Sequence, residues 1–294
     1  MRIAVASGKG GAGKTIVTAS LATVWDKPFM AVDADVEAPN LHLFLRPRVS
    51  SESVVNLEVP VLNNENCTAC GACRNICRFK AIAKFGDTMM VFPDMCHSCG
   101  GCFAVCPAGA LSKGQRELGV MLEGHVFDET KVFLMGRSRV GEAMTPPQLR
   151  ALQKRQAELQ PEAGPDAWAL IDSPPGVSCP AMTVAREADL LLLVAEPTPF
   201  GLHDFRLAHT AFSELGKPMA VVMNRAGLAG NREGEESLRS YCRKTALPLL
   251  AEIPFAREAA EQYAAGGILA DLSPDWRAVF LNLRDSITAL AEEI

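Results

Sequence analysis

Residues 2–15 read RIAVASGKGGAGKT. A short apolar run, 2–7, ends in a glycine-rich stretch that fits GxxxxGK(S/T), with Gly8, Gly13, Lys14 and Thr15 in the required places. Glycines let the backbone turn tightly, so that successive N–H groups point at phosphate oxygens. Ile16, Ala19, Leu21, Ala22 and Val24 then mark a buried helix over 15–24, whose N-terminus adds the positive end of its dipole. Gly8, Gly10, Gly11, Ala12 and Gly13 form the candidate phosphate cradle. Lys14 supplies charge for the β- and γ-phosphates of a nucleotide, and the Thr15 hydroxyl is a hard oxygen suited to magnesium.

Working outward, FMAVD at 29–33 reads as a second buried strand and VVNLEVPVL at 54–62 as an edge strand. The weak alternation over 118–135 predicts a hairpin or two short strands. From Pro147 to Leu159 the pattern is helical. WALID (168–172), LLLLVA (190–195), MAVVMN (219–224) and LPLLAEI (247–253) read as strands, separated by helices over 203–215 and 235–245. Strands alternating with helices predict an α/β fold with a doubly wound, mostly parallel sheet. The run AGLAGNREGEE, 226–236, is expected to be a flexible loop. A C-terminal helix places Trp276, Val279, Phe280, Leu283, Ile287 and Leu290 on one face.

The chain has 294 residues, and its 34 acids against 29 bases give a formal charge of −5. That balance disfavours wrapping nucleic acid. No apolar run reaches the roughly 18 residues of a membrane span, and the first twenty residues lack the pattern of a cleaved leader. A cytoplasmic location is therefore expected. Of ten cysteines, eight lie between Cys67 and Cys106, while Cys179 and Cys242 stand apart. A disulfide scaffold would be short and secreted, so clustered thiols in a chain of this length point to metal.

The cysteine region repeats itself at an offset of 29: Cys67/Cys96, Cys70/Cys99, Gly71/Gly100, Cys73/Cys102, Cys77/Cys106 and Ala81/Ala110. Each half has the spacing C-x2-C-x2-C-x3-C, which resembles a bacterial ferredoxin with two 4Fe–4S clusters. In that arrangement three close thiolates hold one cluster and the fourth comes from the other run. Cys67, Cys70, Cys73 and Cys106 are thus assigned to one cluster, and Cys96, Cys99, Cys102 and Cys77 to the second. Zinc is the rival metal, since C-x2-C pairs also build zinc ribbons. Pro107 follows Cys106 as the motif expects, whereas Arg78 stands where a proline would follow Cys77. His97 and His125 are expected in solvated or hydrogen-bonded roles, since eight thiols already fill both sets. The resulting organisation is a phosphate-loop (P-loop) α/β domain, 1–59 and 114–294, interrupted by a small ferredoxin-like α+β domain at 60–113.

The loop KGGAGKT carries a second lysine, Lys9, and so resembles the deviant Walker A loop of the MinD/ParA family of P-loop ATPases. The resemblance implies a P-loop NTPase fold, ATP or ADP with magnesium as cofactors, and a nucleotide-driven dimer in which Lys9 reaches the partner's nucleotide. It also implies that Asp35 handles the attacking water, that Asp33 lies near the magnesium shell, and that Asp172, ending WALID, holds magnesium. Each aspartate taken alone also reads as a cap or turn residue. Asn224 and Pro254 fall where the family contacts the base. The string DSPPG, 172–176, resembles the second switch of the MinD/Mrp branch.

Cys179 lies where the related nitrogenase iron protein places a cluster ligand. It reads either as an interfacial metal ligand or as a small buried residue packing the switch. The C-terminal helix lacks a lysine-rich face, so packing on the sheet is expected rather than membrane binding. The readings left open are an ATP-gated redox device or sensor with a separate redox partner protein, a cluster scaffold or carrier of the Mrp type, and a spatial organiser of cell division. The ATPase partner is a second copy or a related chain.

Overall fold

The computed structural model describes residues 1–164 and 166–293. Its central sheet has nine strands in the order β11-β10-β9-β1-β8-β2-β7-β6-β3. These are β1 (Arg2–Ala6), β2 (Phe29–Asp33), β3 (Arg48–Leu62), β6 (Leu111–His125), β7 (Lys131–Ser138), β8 (Trp168–Asp172), β9 (Leu190–Ala195), β10 (Met219–Ala226) and β11 (Leu249–Pro254). The seven from β11 to β7 run parallel, and β6 and β3 close one edge antiparallel. A doubly wound sheet of this kind presents the carboxyl ends of its strands as a crevice for ligands.

Both faces of the parallel strands are covered, which is why β9 can be apolar at every position. Ile3 and Val5 point to one face and Ala4 and Ala6 to the other, following the two-residue strand period. The first face packs on α1 (Lys14–Val24), α2 (Leu41–Leu45) and α10 (Pro274–Glu292). The second packs on α5 (Thr145–Ala163), α6 (Cys179–Glu187), α7 (Pro199–Ser213) and α8 (Arg232–Thr245). Trp276, Phe280, Leu283 and Ile287 of α10 are buried in the first core, as the apolar stripe predicts. Each such side chain contributes about 1.5–3 kcal/mol by leaving water. Arg284 donates to the carbonyl of Val24 (3.0 Å) and so satisfies one end of α1.

The expected loop over 226–236 is shorter than its composition suggests. β10 runs to Ala226, and α8 begins at Arg232, with Glu233 and Glu235 in its first turn where they favour the helix dipole. Only a tight turn separates them, and Glu235 accepts the N–H of Gly227 at 2.6 Å.

At the antiparallel edge, β3 and β6 pair from Arg48↔His125 to Leu62↔Leu111, whereas β6 pairs with β7 only over 119–125. The far part of this ribbon carries the cysteine unit. That unit contains α3 (Ala72–Ile76), the hairpin β4 (Ile82–Phe85) and β5 (Thr88–Val91), and α4 (Gly101–Ala104). The 29-residue repeat recurs in its backbone. Left-handed conformations fall at Ala69 and Ser98, Gly71 and Gly100, and Lys80 and Gly109. The N–H of Lys80 meets the carbonyl of Cys77, and that of Gly109 the carbonyl of Cys106, both at 3.3 Å. A Cβ at Gly71 or Gly100 would meet open space, so the glycine is set there by φ (79° and 75°) and not by crowding. The remaining helix, α9 (Arg257–Ala264), follows β11 on the rim of the sheet crevice.

Candidate functional site

A cavity of about 410 Å³ opens at the carboxyl ends of the parallel strands. The phosphate loop lines one side through Gly10, Gly11, Gly13, Lys14 and Thr15, and Asp35 and Asn40 line another. Asn224, Pro254, Phe255 and Tyr263 form the far wall. Gly8 lies beneath the loop, where a Cβ would stand 2.0 Å from the carbonyl oxygen of Asp204 in α7. No other residue type fits there without moving α7.

Lys14 is almost wholly buried at the start of α1. Thr15 donates its hydroxyl proton to Asp172 Oδ2 at 2.5 Å. Asp33 and Asp172 are cross-strand partners at the ends of β2 and β8, and both are buried. Burial pushes the Asp172 carboxyl up to about 7, against the pull of Lys14 and the Thr15 hydrogen bond. Burial, and then the charge of Asp172, also raise Asp33 well above the ordinary carboxylate range. Burial raises Asp35 too, with Lys14 opposing.

The carboxylates differ in what they face. Asp33 accepts the N–H groups of Asp35 (3.1 Å), Asn40 (2.9 Å) and Leu41 (2.9 Å), so it shapes the loop 34–40 and does not line the cavity. Asp172 Oδ1 is buried without a hydrogen-bond partner. An orphaned carboxylate oxygen beside a threonine hydroxyl, in a site that resists negative charge, fits a hard divalent cation. Asn224 lines the cavity while its amide donates to the carbonyl of Ala12 (2.9 Å) and accepts the N–H of Arg225 (3.0 Å). It therefore ties the phosphate loop to β10.

Sequence reading missed two residues here. Glu196, directly after β9, binds Lys9 at 2.9 Å through one oxygen and Arg225 at 2.7 Å through the other. Arg225, left-handed at φ 61°, also donates to the carbonyl of Gly11 (3.2 Å). Neither lies in a local motif, and the contact spans 29 residues. The aromatic wall was missed as well, and in it Tyr263 stacks on Phe44 at 5.3 Å between centroids.

In the cysteine unit the thiols fall into two cavities. One is lined by Cys67, Cys70, Cys73 and Cys106, the other by Cys77, Cys96, Cys99 and Cys102. Each therefore collects three thiols from one run and the last thiol of the other. Cys73 and Cys102, equivalent in the repeat, are both raised by burial and then by neighbouring thiols. The N–H of Ala110 points at Cys106 Sγ (3.3 Å) and that of Ser98 at Cys96 Sγ (3.4 Å). Among the described residues no three His, Cys, Asp or Glu converge as ligands of a single ion. His97 is exposed and stacks on Phe79 at 3.7 Å, while His125 faces Glu129 at 3.5 Å.

Beneath the second cavity, buried Arg116 of β6 pairs with Glu142 and reaches Asp94 at 3.6 Å, and Arg139 also binds Asp94, at 2.9 Å. Cys179 corrects its packing expectation. It opens the first turn of α6 and is exposed, because that helix turns Ala181, Val184, Ala185 and the half-buried Met182 to the core. Cys242 is buried in α8, where burial pushes its thiol up to about 11.

Among the described residues no helix is long and apolar enough to cross a membrane. Comparison with known proteins agrees with the nucleotide-site geometry. Residues 3–269 match the model of the CobQ/CobB/MinD/ParA nucleotide binding domain. An uncharacterised protein of Methanocaldococcus jannaschii is 34% identical over 232 residues, covering 78% of this chain and 79% of the relative. A second from the same organism is 29% identical over 243 residues, covering 80% and 83%. Among solved structures, the cell division ATPase MinD of Pyrococcus furiosus superposes with a TM-score of 0.58 at 21% identity, covering 98% of both chains. The septum site-determining protein MinD of Pyrococcus horikoshii, complexed with Mg-ADP, gives 0.57 at 19% identity, covering 99% of this chain and 96% of that one. At these identities the two structures show a shared fold. The phosphate loop, its crevice and the domain match together make this chain a member of the CobQ/CobB/MinD/ParA nucleotide-binding family.

Proposed function

We propose that the chain is a magnesium-dependent ATPase whose nucleotide-driven dimerisation is coupled to two 4Fe–4S clusters held by its eight clustered thiols. The observation that carries this reading is the sorting of those thiols into two crosswise quartets on the same chain as the nucleotide cavity. A tetrahedral zinc would draw its thiolates to within about 4 Å of one another around one point. Here each cavity is ringed by four thiols drawn from both runs, with backbone N–H groups aimed at two of the sulfurs, which suits a group that carries negative charge on sulfur. When bound, the clusters would supply one-electron chemistry.

Each nucleotide-site residue then has a job. The loop N–H groups and Lys14 bind the phosphates, and Thr15 with Asp172 holds magnesium. Asp35, on the cavity wall, orients the attacking water. Asp33 keeps the 34–40 loop in shape behind it. Lys9 of one subunit stabilises charge on the other's triphosphate. Asn224, Pro254 and the aromatic wall border the base.

A cluster carrier needs labile, exposed ligands. Cys70 and Cys99 are exposed, but each quartet also has buried thiols, Cys73 in one and Cys96 and Cys102 in the other, which favours resident clusters. The test is anaerobic purification with iron and sulfide counting, followed by dithionite titration with and without Mg-ATP. About eight irons per chain and a nucleotide-dependent shift in reduction are expected. A colourless chain that hydrolyses ATP normally would overturn the proposal. Lys14→Ala should lose nucleotide binding while keeping its iron.

A further inference from the structure

We propose that Glu196 is a positioning residue for Lys9. It holds the lysine on its own subunit until a partner's triphosphate competes for that charge. This rests on the reading that Lys9 acts across a dimer.

Three observations carry it. First, Lys9 is not a free loop lysine: its ammonium sits 2.9 Å from Glu196 Oε2, and only 30% of its side chain is exposed. In that position it points at its own subunit. The carbonyl of Lys9 is fixed as well, accepting the Ser7 hydroxyl at 2.6 Å.

Second, the carboxylate is placed rigidly. Glu196 lies at the junction of β9 and α7, its side chain is 11% exposed, and its carbonyl accepts the N–H of Thr198 at 2.9 Å. Thr198 in turn caps α7 by accepting the N–H of Gly201 (3.1 Å). The same helix packs against Gly8. The residue that holds Lys9 is thus anchored to the element on which the phosphate loop rests.

Third, the charges are arranged for exchange. Glu196 has two cationic partners and one negative charge. If it had Lys9 alone, releasing the lysine would leave a largely buried carboxylate without a counter-charge. With Arg225 at 2.7 Å on the other oxygen, Glu196 stays neutralised after Lys9 leaves. The surplus positive charge makes Lys9 the partner that is cheaper to release. A triphosphate, carrying several negative charges, outcompetes a carboxylate that is already paired. Arg225 meanwhile keeps its bond to the Gly11 carbonyl, so the loop holds its shape during the exchange.

The experiment uses the full chain, magnesium and a non-hydrolysable ATP analogue, with particle mass followed by light scattering as the analogue is titrated. Glu196→Gln keeps the size of the side chain and removes the charge. The analogue concentration that gives half dimer should fall about fivefold, the ratio that corresponds to one partly exposed ion pair. In a Lys9→Ala background the same substitution should produce no such gain. Glu196→Asp, which keeps the charge but shortens the arm, should shift the midpoint in the same direction by less, and serves if Glu196→Gln folds poorly. An unchanged midpoint in Glu196→Gln and Glu196→Asp would overturn the proposal. An equal shift in the Lys9→Ala background would do so too, because it would assign Glu196 a purely structural role. If instead Lys9→Ala dimerises and turns over like the parent, it is the role of Lys9 across the dimer that fails.

Discussion

Asp172→Asn should make the chain more stable at pH 8 while removing its magnesium site. Asp172 is buried beside Asp33, and its carboxyl is pushed up to about 7 from an ordinary 3.8. Between those values the folded chain holds a proton that the unfolded chain has released. Rising pH in that window therefore favours unfolding. The interval is about three pH units, each worth about 1.4 kcal/mol, so the buried charge costs on the order of 4 kcal/mol above pH 7. Asparagine removes this cost and relieves the push on Asp33. Against that, its amide has no partner where Oδ1 has none, a loss of about 1 kcal/mol. A net gain of about 3 kcal/mol at pH 8 is expected, falling to nothing or a slight loss at pH 4. Urea unfolding in the presence of a chelator measures it. The fluorescence of the close pair Trp25 and Trp168 reports the sheet core. Adding magnesium should stabilise the parent at pH 8 and leave the variant unchanged. A stability difference that is the same at both pH values would refute the reasoning, since only a titrating group gives it this slope.

Three further outcomes are expected. Gly8→Ala should displace α7 or fail to fold stably, because its Cβ would stand 2.0 Å from a backbone oxygen, and thermal unfolding with nucleotide titration will show the loss. Arg116→Met should cost about 3 kcal/mol, the low end for breaking a buried pair, because Glu142 keeps Arg139 (3.7 Å) and the Met144 N–H (2.8 Å). Hydrogen exchange around 94–96 and 142–144 should rise first, and Arg116→Met/Glu142→Leu should recover most of the loss. Cys106→Ser should open the cavity of the first run, not that of its own. Both Cys70 and Cys99 are exposed, so in iron-loaded protein alkylation mapped by mass spectrometry should then label Cys70 and spare the cluster-bound Cys99, and the reverse pattern would contradict the crosswise sets.

The parts of this molecule that were legible in its sequence are those whose physics is local. The phosphate loop is eight contiguous residues in which glycine, lysine and threonine each answer one requirement. The two cysteine runs carry their ligand spacing within eleven residues each, and their 29-residue offset reappears in three pairs of left-handed residues. β9 is legible because both its faces are buried. The ribbon was only half legible. Residues 48–53 of β3 are all exposed and, apart from Val49, polar or charged, so they give no burial pattern, and pairing with β6 makes them a strand. The start of α8 was hidden by Gly and Asn, which read as a loop, although the acids of its first turn favour a helix. Glu196, Arg225 and Tyr263 could not be found at all. Glu196 and Arg225 meet the phosphate loop and each other, and Tyr263 joins the cavity wall from α9, across the ends of strands far apart in the chain, so their roles exist only once the sheet has formed.

The placement of the cysteine unit has a physical logic that neither site shows alone. An insertion between two parallel strands would have to cross the packed helical layers, whereas the antiparallel edge accepts a ribbon whose hydrogen bonds are satisfied within itself. That edge also adjoins the loop shaped by Asp33. The carbonyl of Val36 accepts the N–H of Ser138 at 2.7 Å, and a Cβ on Gly136 would meet Val36 Cγ1 at 2.6 Å, so the loop rests directly on β7. The next residue, Arg139, donates its N–H to Leu118 of β6 at 2.8 Å and its guanidinium to Asp94, two residues before Cys96. Coupling between distant sites is carried by packed side chains, hydrogen bonds and ion pairs that run without a break from one to the other. Two of these contacts are backbone hydrogen bonds and one is side-chain packing, whereas the exposed pair Arg139–Asp94 is the weakest step. A continuous line of contacts thus runs from the loop that lines the nucleotide cavity, over β7, and through Arg139 to the segment leading into the second thiol quartet.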